Sequence, residues 1–320
     1  MTTPLRKRSA MAVALVLGLS VAVTGCGKYS IGALKAQKGW KDANDAYRAQ
    51  DWKTAAEKYE YVLQQDPSRV EAHFFLANSY DNRYKPARAG EPDNDAMIQK
   101  AVEHYRLAAE RDTNPQMKKL ALQYLVAAYG QEKLNDPSQA EPLVQQMIQM
   151  EPNEPTNYFA LASIYEESGR YEDAEAAYLK ARDVKPSDPV VHTTLAGYYN
   201  RQGEFDKTME AMNTAADLEP NNPQGYHLVA TFYQEKLQKD HRLDNKQRMD
   251  YALKGIAAED KALALNPNYG EAMVYKNILL RYQAGVETDR GKQERLIKEA
   301  DELRNKAQEI LKRRTTSGTN

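Results

Sequence analysis

The chain repeats itself every 34 residues. Tyr158-Phe159-Ala160-Leu161-Ala162-Ser163-Ile164-Tyr165 returns as His192-Thr193-Thr194-Leu195-Ala196-Gly197-Tyr198-Tyr199, and again as Tyr226-His227-Leu228-Val229-Ala230-Thr231-Phe232-Tyr233. Downstream, Gly169-Arg170-Tyr171-Glu172-Asp173-Ala174 is echoed by Gly203-Glu204-Phe205-Asp206-Lys207-Thr208, and these units close on Pro186 and Pro220. A unit this short cannot bury its own apolar face, so it must stack on its neighbours. Extending the register both ways places unit starts at 36, 70, 119, 155, 189, 223 and 270, the last reading well only over its first helix.

Each unit reads as a pair of helices. Small residues at the eighth, twentieth and twenty-seventh places let the two approach, and Tyr or Leu between them fill the groove at i, i+3, i+4 and i+7. The 21 Tyr against only 5 Phe therefore have a structural explanation first. Pro155, Pro189 and Pro223 fall where a first helical turn loses nothing by lacking an N–H, and Gly169 and Gly203 suit the turn between helices, where a positive φ costs Gly little.

The unit starting at 155 carries Tyr158, Leu161, Ala162, Tyr165, Gly169, Tyr171, Ala174, Tyr178, Ala181 and Pro186. This resembles the tetratricopeptide repeat at every family position. The resemblance implies an all-α fold, a right-handed α-solenoid of helical hairpins over 36–283 with about six full units and a degenerate seventh. It also implies a concave groove that holds a protein or an extended peptide.

Two inserts break the period, at 81–100 and 234–254, and both are expected to be loops inside a unit along one edge. Asp93-Asn94-Asp95 lacks the Gly and distant Glu of a calcium loop and reads as the start of a helix over 95–111. The highly charged segment 284–313 is amphipathic through Leu296, Ile297, Ala300, Leu303, Ala307, Ile310 and Leu311, and is expected to cap the array. Residues 314–320 read as a disordered tail.

The first 25 residues read as an address. Arg6-Lys7-Arg8 precede an apolar run over 10–23, shorter than the roughly 20 residues of a spanning helix. Val23-Thr24-Gly25-Cys26 resembles the lipobox of bacterial lipoproteins, which implies cleavage before Cys26 and lipid on its sulfur, with 26–35 as a tether. Cys26 is the chain's one cysteine, so disulfide scaffolds and cysteine-based zinc sites are excluded. By the same resemblance Gly27, in place of a retaining Asp, implies the periplasmic face of the outer membrane in a diderm host. Removing residues 1–25 takes away three basic and no acidic side chains, moving the net charge from −1 to −4. No basic face for nucleic acid is expected.

Chemistry is absent from the pattern. There is no P-loop, dinucleotide turn, HExxH or GxSxG, and His73, His104, His192, His227 and His241 share no ligand spacing. Neither an enzyme nor a cofactor, metal or small-molecule substrate is expected. In the family, ligand-facing residues are those at places 2, 5, 9, 12 and 13 of each first helix. By resemblance these include Trp40, Asn44, Tyr47, Arg48, Phe74, Asn78, Asp81, Phe159, Ser163, Asn200, Arg201 and His227. Asn44 and Asn78 match an Asn that binds ligand backbone in chaperone-binding members. The basic residues those members need are replaced by Trp40, Leu120 and Tyr124, so an acidic chaperone tail is not the expected ligand. The groove residues are expected to face solvent in the free protein. The reading is a lipid-anchored interaction scaffold. The alternatives are a pilotin or outer-membrane assembly subunit, binding through the insert loops, and a structural linker acting through its convex face.

Overall fold

The computed structural model describes residues 31–317. The signal peptide expected at 1–25, Cys26 with the first part of the expected tether, and the last three residues lie outside them. Fourteen α-helices and one 3-10 turn, with no strand, make up the described residues. In order they are α1 (Ile31–Arg48), α2 (Trp52–Gln65), α3 (Glu71–Arg83), the 3-10 turn Pro86–Arg88, α4 (Pro92–Arg111), α5 (Pro115–Tyr129), α6 (Pro137–Met150), α7 (Pro155–Glu167), α8 (Tyr171–Val184), α9 (Pro189–Arg201), α10 (Phe205–Leu218), α11 (Pro223–Lys239), α12 (Asn245–Leu265), α13 (Gly270–Val286) and α14 (Arg290–Ser317). This is the all-α solenoid of helical hairpins that the period requires.

Helix boundaries follow local chemistry. Six helices open on proline, at Pro92, Pro115, Pro137, Pro155, Pro189 and Pro223. Before four of these, Asn114, Asp136, Asp188 and Asn222 accept a hydrogen bond from a first-turn N–H that would otherwise be orphaned. Gly169 and Gly203 sit at φ +71° and +76° with open space around them, as the turn demands.

The helices form two compact units. The first holds the described residues up to Pro152 together with Ser163–Arg170, and the second Asn153–Ala162 with Tyr171 onward. In the first, α1 packs on α2, α3 on α4 and α5 on α6, and each pair stacks on the next. Ala36, Ala43, Ala55, Ala77 and Ala101 are fully buried, and Tyr59 and Tyr105 fill the space beside them with no exposed surface. In the second unit the helices α9 to α14 pack in sequence around Ala196, Met212, Tyr226, Ala230, Tyr233, Ala262, Leu279 and Ala300.

The two inserts are not the loops expected. α3 continues to Arg83 and α4 starts at Pro92, three residues before the expected helix start. Asn94 is buried and ties the short connection, accepting from Lys85 N at 2.9 Å and donating to the carbonyls of Lys85 and Arg88. In the second insert α11 runs to Lys239 and α12 begins at Asn245, behind a capping box of Asp244 and Gln247. Most of the extra residues lengthen helices: charged, unbranched side chains extend α11 and α12 in the second insert, while Pro86, Gly90 and Pro92 keep a short connection at 84–91 in the first.

The terminal helix α14 covers α13. Ala300 and Ala307 are fully buried, and a Cβ on Gly270 would stand 3.0 Å from Leu311. Around this seam Gln293 donates to the Ala284 carbonyl, Arg281 pairs with Asp301 at 2.6 Å, and Lys276 bridges Asp260 and Glu299. The helix passes the expected boundary at 313 and ends at Ser317.

Two glycines should respond to Gly→Ala with opposite signs. At Gly255 the added methyl would lie 2.9 Å from both terminal carbons of Leu279, itself fully buried. Overpacking of about 1–3 kcal/mol should outweigh the helix propensity gained. At Gly197 the nearest atom is the guanidinium end of Arg201 at 3.6 Å, so propensity should win by about 0.5–1 kcal/mol. Thermal melts of Gly255→Ala and Gly197→Ala check this. A Gly255→Ala protein as stable as wild type would show that Leu279 can move aside.

Candidate functional site

An aromatic ladder runs through the first unit. Trp40 meets Tyr59 and Phe75 edge-on, with ring centroids 5.5 and 5.7 Å away. Phe75 stacks on Tyr59 at 5.7 Å, and Tyr47 stands edge-on between Trp52 at 5.2 Å and Phe75 at 5.3 Å. Phe74 continues the ladder to Tyr124 and Tyr105 at 5.5 and 5.8 Å. Edge-to-face contacts of this kind add to the gain from burial alone.

A polar relay runs along the same rungs. Tyr59 donates its hydroxyl to Asn44 Oδ1 at 2.6 Å, and Tyr47 donates to Asn78 Oδ1 at 2.7 Å. Asn78 Nδ2 donates to the Tyr105 hydroxyl at 3.2 Å, which donates in turn to Asp81 Oδ2 at 3.3 Å. The second Asp81 oxygen pairs with Lys133, from the turn after α5. Burial, the largest cause at each, pushes the Tyr47, Tyr59 and Tyr105 phenols above their usual range, so they act as neutral donors. Trp52, Asn78, Asp81, Asn82, Tyr124 and Lys133 line a cavity of about 390 Å³ at the ends of α3 and α5.

This geometry corrects part of the expected groove. Asn78, Phe74 and Asp81 are 5%, 4% and 9% exposed and do not face solvent as expected. Rings from α4 and α5 close over them, and Asn78 uses its oxygen and an N–H within the protein. Asn44 is part-buried, its oxygen engaged by Tyr59. Trp40 and Tyr47 are part-buried in the ladder, and Arg48 is exposed and paired with Asp45. Ser163 is exposed and donates to Glu167.

In the second unit the expected residues scatter. Phe159 packs 6.0 Å from the Tyr178 ring, to whose hydroxyl Arg201 donates at 3.3 Å. Asn200 lines a cavity of about 610 Å³ with Phe205, Phe232, Lys236, Lys239 and Arg242 among its walls. His227 is turned into the core, its Nδ1 2.8 Å from Glu259 Oε1 and its ring 5.0 Å from those of Tyr269 and Tyr275.

Sequence reasoning missed Trp52 and Phe205 as wall residues. The signal was present: both take the seventeenth place of their units, opening a second helix at the groove's edge. It also missed Glu259, fully buried with Oε2 unpartnered, and the contact between His73 and His104.

Residues 41–115 and 132–198 each match a family model described as the tetratricopeptide repeat. A crystal structure of the C-terminal part of a repeat protein of this kind from Cytophaga hutchinsonii is 16% identical, with TM-score 0.53 over 84% of this chain and 98% of its own, which shows the fold. A tetratricopeptide repeat protein from Parabacteroides merdae is 14% identical over 83% of this chain and 99% of its own, with TM-score 0.46. YrrB, described as having an unusual peptide-binding site, is 17% identical over 58% of this chain and 87% of its own, with TM-score 0.40. No curated protein sequence matches the chain.

Proposed function

We propose that this chain is a non-enzymatic scaffold, lipid-anchored through Cys26 at the periplasmic face of a bacterial outer membrane, which takes an extended segment of a partner protein on the inner face of its first unit. Repeats of this kind are interaction modules, and the lipobox-like Val23-Thr24-Gly25-Cys26 supports the anchor. The observation that carries the binding face is the 390 Å³ cavity, where the half-buried Trp52 and the 36% exposed Tyr124 flank Asn82, Asp81 and Lys133. The exposed parts of the aromatic walls supply anchoring area, and the Asn82 side-chain oxygen and the Lys133 ammonium between them can pair with peptide backbone.

Substitution at the walls tests this reading. Trp52→Ala and Tyr124→Ala should each weaken partner binding by about 2 kcal/mol with helicity unchanged. Asn44→Ala and Asn78→Ala should act differently, lowering the melting temperature because each removes the acceptor of a ladder hydroxyl, that of Tyr59 and that of Tyr47. Titration calorimetry and circular dichroism separate the two effects. Affinity indifferent to Trp52 and Tyr124 but lost on changing Lys236 and Lys239 would move the site to the second unit.

A further inference from the structure

We infer that the outer face of the first turns of α1 lies on an anionic lipid surface, a step that rests on the proposed anchor at Cys26. Ile31 and Leu34 are 74% and 63% exposed, and with Lys35 and Lys38 they form one stripe at i, i+3, i+4 and i+7. The opposite stripe, Ala36, Gly39 and Ala43, is buried against α2. Lys35, Lys38 and Lys41 are exposed, and among the described residues none of them enters an ion pair.

Charge is sorted along this face. Its lysines come first, and Asp42 and Asp45 follow, with Asp45 paired to Arg48. At 1.5 Å per residue, Lys38 stands about 10 Å along the axis from Ile31 and Asp45 about 21 Å. The screening length at physiological salt is about 8 Å, so a surface at the N-terminal end feels Lys35 and Lys38 more than Asp42, about 16 Å along, or Asp45.

The anchor sets the distance. Four residues separate Cys26 from Ile31, so five Cα-to-Cα steps reach at most about 17 Å even when fully extended. A lipid held there keeps the stripe within range of headgroups at high effective concentration. Two exposed aliphatic side chains are far too little for a protein partner, which needs about 800 Å² per side. They suit shallow insertion at the headgroup boundary, and the unpaired lysines suit anionic lipid.

The test uses the mature lipidated protein on vesicles containing phosphatidylglycerol. With the Cys26 sulfur blocked by lipid, Leu34→Cys offers the sole thiol for a fluorophore, and Glu132→Cys, in the turn between α5 and α6, serves as the control. Quenching by a lipid-borne nitroxide should be strong at position 34 and weak at 132. Lys35→Glu with Lys38→Glu should reduce surface residence more than about tenfold, as should vesicles of phosphatidylcholine alone. A label at 34 no better quenched than at 132, on protein that still floats with the vesicles, overturns the inference and leaves the anchor standing. Quenching indifferent to the charge reversals overturns its anionic requirement. Protein that does not float with the vesicles sinks the anchor and this inference together.

Discussion

Acidification from about pH 8 to about pH 5 should weaken the first unit and strengthen the second, by on the order of 2 kcal/mol each. His73 is buried against His104, the rings stacked at 5.2 Å with Nδ1 atoms 3.0 Å apart. One nitrogen must donate and the other accept, which two charged rings cannot do. Burial first, then His104 and Arg111, hold His73 down at about 4, and burial also lowers His104 against the pull of Glu103 and Glu60. The unfolded chain takes up a proton near 6.5 that the native state refuses, so His73 stabilises fully above 6.5 and progressively less as pH falls toward 4. Glu259 has the opposite sign. Burial raises it to about 7, against the hydrogen bond to His227 and with help from Asp260. The native carboxyl keeps a proton that the unfolded one releases above about 4.5, so stability is complete below that pH and is lost as pH rises to 7. Native-state hydrogen exchange read by mass spectrometry resolves the two units, with α3 and α4 reporting on the first and α12 on the second. Glu259→Gln should flatten the second response and leave the first. Protection that moves the same way in both units would show that these groups do not govern the titration.

Deleting residues 289–320 should be the most damaging truncation. Leu296 and Leu303 pack, part-buried, against the second unit's core, and Ile310 and Leu311 close on Gly270. Losing four such side chains costs on the order of 5 kcal/mol in burial alone. It also uncovers neighbouring core residues of α13, leaving an apolar surface on which copies can associate. Light scattering should show aggregation, and circular dichroism an earlier, broader melt. A truncated protein that remains monomeric with unchanged melting would make α14 a partner-binding helix instead of a cap.

Much of this architecture is written in the period. Tyr158 and Tyr226 are buried as their places require, and the prolines at 155, 189 and 223 open helices. Where the period broke, it misled: a 34-residue template has no way to express α11 and α12 growing longer together, so 234–254 looked like a loop. Glu259 was legible in principle, since it lies three residues after buried Ile256 and three before buried Ala262, a carboxyl on an apolar stripe. The pairing of His73 with His104 was not, because it depends on how α3 and α4 meet across 31 residues. The groove suffered similarly. Positional resemblance says which way a side chain points but not whether Tyr105 and Tyr124 will lean over it, and at Asn78 they do.

The relay from Tyr47 through Asn78, Tyr105 and Asp81 to Lys133 links one hairpin to the next without a gap. A plain stack of repeats behaves as a spring whose layers stretch independently. Bonds in an unbroken relay polarise one another in general, which ties these layers together more than packing alone would. Were the chain loaded between its tether and a captive partner, tension arriving at α1 would pass through Tyr47 into the wall of the 390 Å³ cavity. Grip and pull would then be a single mechanical variable.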